Sequence, residues 1–481
     1  MKGINASRRA FLRTASALST VGTAGAGIAL NLAAVGSAAA QSAPADYKAI
    51  VCLFLFGGCD YANTVLSYDE PSWSGYVAAR NVQPDPIALA LPSAPVAGRT
   101  ILPVTHLNAN GLNAGRQFAL HPNLGPLKTL FDNQQAAVIG NVGPLIQPTT
   151  KAQYNTRNYP LPPKLFSHND QQSTWMAFAP EGASTGWGGR LGDLFMASNQ
   201  YPVFTGISTS GNTVFLAGRE SVQYQIGGST AAGINGLNNV YNVGGANVAL
   251  NALLQETRQN LFEREQVKVS TRSIAARDAI NNAIGIAPAF TTPFPGTGIG
   301  NQLQTVARII AGRDFIGARR QVFFVSMGGF DHHDGLNAGH GALMTQLGAA
   351  VAAFQAATTQ LGIADKVTLF TGSDFGRTLT SNGDGSDHGW GSHHFVVGGA
   401  VRGGDFYGRF PLIGVGNSDE VGQGRLLPDV AVDQVAGTLG RWFGVSDTDL
   451  LTLMPNLKNF GSGTSATQQV DSALARVAFM A

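Results

Sequence analysis

Three separate apolar runs in this chain end the same way, in glycine followed within a few residues by aspartate. "KAIVCLFLF" (48–56) runs into Gly57-Gly58-Cys59-Asp60, "RQVFFVSM" (320–327) into Gly328-Gly329-Phe330-Asp331, and "KVTLFT" (366–371) into Gly372-Ser373-Asp374. Continuous runs of Val, Ile, Leu and Phe bounded by turn residues read as strands buried on both faces, as parallel sheets require. "QAAVIGNVG" (135–143) and "HFVVGGAV" (394–401) read the same way. Helical patterns at 246–284, 299–318 and 338–361 lie between them, and 428–445 reads as an amphipathic helix. Strands separated by helices predict a three-layer α/β/α sandwich with a mostly parallel central sheet. Residues 150–240, rich in Gly, Asn, Ser and Thr, read as loops and short strands over that sheet, with "STGWGGRLGD" as a bracing loop.

The position of the aspartates constrains chemistry. In an open α/β sheet, ligands bind beyond the carboxyl ends of the strands, and glycine there lets backbone and ligand approach closely. Asp60, Asp331 and Asp374 are therefore expected to converge. Three crowded carboxylates repel one another unless a cation sits among them. Six of the nine histidines fall between 332 and 394, so imidazoles from 332–333, 388 and 393–394 can complete the shell. In extended chain the pairs His332-His333 and His393-His394 alternate sides, which leaves one of each facing solvent or standing behind a ligand. A mixed oxygen and nitrogen shell suits Zn, Mn or Fe, whereas Ca and Mg prefer oxygen. Asp334 and Asp384 read as turn formers and His121 as structural.

Ser7-Arg8-Arg9-Ala10-Phe11-Leu12, a diluted apolar run to about Val35 and Ala38-Ala39-Ala40 read as a twin-arginine export signal with its cleavage site. Residues 1–40 hold Lys2, Arg8, Arg9 and Arg13 and no acid, so the formal charge of +2 falls to −2 without them. That balance gives no footprint for nucleic acid. No later run is long and apolar enough to span a bilayer, so a soluble mature protein in the periplasm or outside the cell is expected. Charged residues are only 12% while 44% are hydrophobic and Gly numbers 61, a pattern of long ordered loops rather than disorder. Cys52 and Cys59 sit seven apart along an expected strand, too far to bridge.

"LFLFGGCDYANTV", "ALHPNLGPL", "FSHNDQQSTW", "GFDHHDG", "SDFGRTLTSNGDGSDHGWGSHHFVVGGAVRGGDFYG" and "LLPDVAVDQVAGTLGRWFGV" occur in this order. Together they resemble the exported bacterial family called domain of unknown function 1501, over most of residues 46–460. That family resembles a branch of the alkaline phosphatase and sulfatase superfamily, which implies the α/β/α fold with metal ions at the strand ends. The resemblance implies metal-ligand roles for Asp60, Asp331, His333, Asp374 and His388. It places the nucleophile at Ser167, with Ser173 and Thr174 as rivals. Arg377 can pair with a tetrahedral anion or with Asp374. Where the superfamily's phosphatases often have Asp-His, this chain has Asp374-Phe375, which puts a complete two-zinc site in question. No cysteine holds the nucleophile position, so the formylglycine sulfatase pattern is absent. The expectation is an exported hydrolase of phosphate or sulfate esters, from small molecules or the envelope, using Zn or Mn. A metal-holding binding protein and a transferase of phospho-headgroups are the alternatives. The domain reading is a signal at 1–40, one α/β/α domain at 41–460 with insertions at 150–300, and a tail at 461–481.

Overall fold

The computed structural model describes residue 44 and residues 46–481, apart from 109–110, 235–236, 238, 257–258 and 473–474. The export signal read at 1–40 lies outside the described residues. In chain order the elements that matter here begin with β1 (Lys48–Leu55), α1 (Ser72–Arg80), β2 (Ala136–Gly143), α2 (His168–Ala177) and α3 (Trp187–Phe195). Then come β3 (Gly206–Ser208), β4 (Tyr224–Gln225), α4 (Leu261–Gly285), α5 (Gly298–Ala311), β5 (Arg320–Met327) and α6 (Leu336–Gln360). The chain continues through β6 (Val367–Ser373), β7 (Arg377–Ser381), β8 (Ser386–His388), β9 (Ser392–Val397), β10 (Phe406–Tyr407), β11 (Val430–Ala431) and α7 (Val432–Phe443).

The nine-stranded main sheet runs β10-β2-β9-β6-β1-β5-β3-β4, with β11 also paired to β2. Alternation along β1 builds the layers. Ala49, Val51, Leu53 and Leu55 face a core shared with α4, α5 and α6. Ile50, Cys52 and Phe54 face a second core that takes in Trp175 of α2, Trp187 of α3 and Val435 and Leu439 of α7. A strand has a side-chain period of two, so a run apolar at every position can satisfy both layers. Burying each such Val, Leu or Ile stabilises by about 1.5–3 kcal/mol relative to exposure.

Three details differ from the sequence reading. The last apolar run forms β9, which is antiparallel to both β2 and β6. Every other pair in this sheet is parallel. A buried apolar run reads alike in either direction. The 246–284 pattern breaks into a helix at Ala246–Gln255 and α4. "GWGGRLGD" is not a loop but the start of α3. A Cβ at Gly189 would lie 2.1 Å from the Ala217 carbonyl carbon, so glycine serves close helix packing there. Both cysteines are buried and free. Among the described residues no helix is long and apolar enough to cross a membrane.

Candidate metal centre

β1, β5 and β6 end flush, since Leu55 pairs with both Met327 and Ser373. The three glycine–aspartate loops thus leave one edge of the sheet together. Gly57, at φ +115°, lets the first loop cross the second, because a Cβ there would lie 2.4 Å from the Asp331 amide nitrogen.

Asp331 is the hub. Its Oδ1 accepts from Arg377 Nη1 and lies 3.2 Å from His333 Nε2 and 3.3 Å from His388 Nε2. Its Oδ2 lies 3.4 Å from His168 Nε2. His168, Asp331 and His388 each offer a ligand atom, all within 4.8 Å of one another. The Nε2 atoms of His333 and His388 are 3.1 Å apart.

The far nitrogen of each ring is anchored. His168 Nδ1 meets Asp374 Oδ2 at 2.6 Å, His388 Nδ1 meets the Phe166 carbonyl at 2.9 Å, and His333 Nδ1 meets Asp387 Oδ1 at 3.2 Å. Each of those partners accepts, which favours the proton on Nδ1. Each Nε2 then faces an Asp331 carboxylate that also accepts, a contact that holds only with a second proton on the ring or a cation between them. Acceptors behind the rings with lone pairs in front are the arrangement that holds histidine ligands to metals. Two lone-pair nitrogens 3.1 Å apart attract only if a proton or a metal cation lies between them.

Charge and burial tune the group. The hydrogen bond from His168 to Asp374, with the Asp374 and Asp331 charges, raises the His168 pKa. Burial lowers that of His388, helped by the nearby His168 and Arg377. Burial opposes ionisation of Asp331, but Arg377 and then His333 and His168 hold its pKa below the usual carboxylate value. Phe375 packs on His168 and His388 with ring centroids 4.8 and 4.6 Å away. Phe375 thus gives the two rings an apolar wall.

Asp374 is fully buried behind His168. Its Oδ2 also accepts from Gln172 Nε2 at 2.7 Å, and its Oδ1 has no hydrogen-bond partner among the described residues. Asp60 is engaged elsewhere. It sits at the head of the turn Tyr61–Thr64, and Arg80 of α1 grips it through Nη1–Oδ2 at 2.5 Å and Nη2–Oδ1 at 2.7 Å. Arg377 pairs with Asp331 rather than Asp374, and its remaining donors go to the Gly57 and Ser386 carbonyls and, from Nε, to the Ser386 hydroxyl. His393 and His394 are both buried away from the group, on the Asn141 amide and the Thr371 hydroxyl. Their expected alternation gave neither a ligand nor a solvent face.

Ser167 precedes the first residue of α2 but does not cap it. Its hydroxyl donates to Asp170 Oδ2 at 2.9 Å. Lys164 (φ +48°) and Phe166 (φ +70°) hold left-handed conformations around it, strain of a kind that clusters at functional sites. The Phe166 twist aims its carbonyl at His388. Ser173 points away, donating to the Pro180 carbonyl, and Thr174 bonds back to Asp170 O. His168 is the residue that sequence reasoning missed. Its only signal was a histidine directly after the favoured serine at a helix start.

No curated protein matches the sequence. Among solved structures, the C-terminal periplasmic domain of EcEptC from Escherichia coli, in complex with Zn, aligns at 9% identity with TM-score 0.34, covering 84% of each chain. Ps i-CgsB in complex with k-i-k-neocarrahexaose aligns at 9% identity with TM-score 0.32, covering 88% of this chain and 76% of that one. Likenesses this distant carry no argument about ligand or chemistry. The family model described as "Protein of unknown function (DUF1501)" matches residues 47–457, and the chain belongs to that family.

Proposed function

We propose that this protein is an exported, metal-dependent hydrolase of phosphate or sulfate esters. The observation that carries the reading is the set of three imidazoles, each anchored at Nδ1, whose Nε2 atoms surround the Asp331 carboxylate. His168, Asp331 and His388, with His333 beside them, fit a divalent cation, and the nitrogen-rich donor set favours Zn or Mn over Ca or Mg. Asp374 contributes from behind by holding the proton on His168 Nδ1, and Asp60 belongs to the frame. Such a cation, when bound, polarises an ester oxygen as a Lewis acid.

The chain's own groups supply the rest. Ser167 Oγ attacks the phosphorus or sulfur while Asp170 Oδ2, already accepting its hydrogen bond, takes the proton. The ester oxygen leaves as the alcohol with that proton, and water then releases the inorganic anion and restores Ser167. Arg377 fixes Asp331 in place. Phe375 and Phe166 wall the site. The substrate is a small-molecule or envelope ester.

Elemental analysis of the purified mature protein tests the reading, paired with a screen of aryl phosphomonoester, phosphodiester and sulfate ester. Metal near one equivalent with turnover of one ester class is expected. Metal without turnover marks a binding member of the family, and turnover only with an acceptor present marks a transferase. No metal in a protein purified without chelator sinks the proposal. Export through the twin-arginine pair predicts that Arg8→Lys with Arg9→Lys strands the precursor in the cytoplasm. Mature protein outside the inner membrane in that double variant overturns this part.

A further inference from the structure

At the other edge of the sheet lies a cavity of about 340 Å³ whose lining has no use in the proposed reaction. It is walled by Lys48 at the start of β1, Thr438, Arg441 and Trp442 at the end of α7, Arg402 after β9, and Arg476 in the C-terminal segment. Eight residues of β1 span ~26 Å, so this cavity is well removed from the Asp331 group.

Its side chains are predominantly basic. Four cations line it with no Asp or Glu side chain, and the carboxylate of the last residue, Ala481, lies in the same wall. The neighbouring carboxylates are shared: Asp471 serves both Arg441 and Arg476, and Asp46 serves both Arg320 and Lys48. Asp447 adds a contact to Arg441 at 3.6 Å. Arg402 is exposed, and its guanidinium has no hydrogen-bond or ion-pair partner among the described residues. Lys48 Nζ sits 5.3 Å from the Trp442 ring centroid and donates to the Trp442 carbonyl at 2.6 Å, so charge and aromatic surface are held together. The volume is in the small-molecule range and larger than a bare ion needs.

We propose that this cavity binds a small organic phosphate or sulfate ester, with the oxyanion on Arg402, Arg476 and Lys48 and the carbon body against Trp442. The unpaired Arg402 and the shared partner of Arg476 leave positive charge for an anionic group, and planar guanidinium forks match a tetrahedral oxyanion. This inference is independent of the metal-centre reading.

The test is calorimetric titration of the full mature chain, treated with chelator to silence the metal centre. The probes are glucose 6-phosphate, glucose 6-sulfate and glucose. Binding of at least one ester is expected, weakened about tenfold or more in Arg402→Ala and further in Arg402→Ala with Arg476→Ala. Affinity should also fall as salt rises, since the contacts are near the surface. Which ester binds decides between phosphate and sulfate. Ester turnover by the metal-loaded Arg402→Ala protein should equal wild type. Arg402→Gln, which keeps the stem, should reproduce the loss with an unchanged melting temperature. Unchanged affinity in the double variant, or glucose binding as tightly as its esters, overturns the proposal.

Discussion

Two aspartate–histidine clusters lie at the same edge of the sheet, and they are built to opposite ends. In the closed one, Asp60 is 1% exposed, both its oxygens face the Arg80 fork, and His340 stands behind on the Thr64 hydroxyl. In the open one, the Asp331 side chain is 41% exposed, Arg377 takes only one oxygen, and three imidazoles crowd the carboxylate. Both aspartates follow a buried strand and glycines. Counter-charge and solvent access separate them. A buried carboxylate with a matched guanidinium is electrostatically complete, whereas a half-exposed one ringed by lone pairs has room for a cation.

The largest effect should come from acid, and from the closed parts of the molecule. Burial pushes His121 down to about 4, and His340, His393 and His394 down to about 3. Their ordinary value is 6.5, so below it the unfolded chain takes up protons that the folded chain refuses. Stability is therefore present at neutral pH and lost as pH falls from 6.5 toward 4, by up to about 5 kcal/mol per pH unit if all four act. Urea unfolding of the chelator-treated protein at pH 7 and pH 5.5 measures this. Equal midpoints would show that these rings are not buried neutral.

Next, the clusters should respond oppositely to the same substitution. Asp60→Asn strands the buried Arg80 charge and should cost about 3–5 kcal/mol of stability. Asp331→Asn also removes the counter-charge of the buried Arg377, but the position is half in solvent and the Asn oxygen can still accept, so it should cost less, about 1–3 kcal/mol, while abolishing metal binding. Thermal melts paired with metal analysis compare the two directly. Metal lost in Asp60→Asn without destabilisation would return Asp60 to the ligand set.

Within the open cluster, Ser167→Ala should lower turnover on the order of a thousandfold, with metal content and melting temperature near wild type. Ser173→Ala should be close to silent, because its hydroxyl serves Pro180. Full activity in Ser167→Ala would assign the attack to water. A smaller effect on metal belongs to Asp374→Asn, whose carboxylate reaches the proposed cation position only through His168. It should weaken metal affinity about 10–100-fold, as competition with a chromogenic chelator reads out. Complete loss of metal would mean that Asp374 itself ligates, with its unpartnered Oδ1 as the donor.

Much of the frame was legible in the residues. The runs at 48–56, 320–327 and 366–371 named three adjacent parallel strands, and their glycine–aspartate ends named the edge at which Asp331 meets three imidazoles. His333 and His388 were singled out through the family resemblance, and the structure brings both rings to Asp331, His333 from the loop after β5 and His388 from the end of β8. His168 was not, since it arrives from α2, more than 200 residues before Asp374 in the chain. Arg80 was equally hidden: nothing in "SGYVAAR" announces that its guanidinium will close on Asp60. The direction of β9 was hidden because an apolar run carries no arrow.

Periodicity and turn residues act over a few neighbours, so the sequence by itself determined the strands, their burial on both faces and the edge where chemistry gathers. Which aspartate is sealed by an arginine and which is left open depends on side chains that meet only across the folded sheet. Tertiary structure decided that, because the strength of a charge pair is set by the distance and dielectric between its partners.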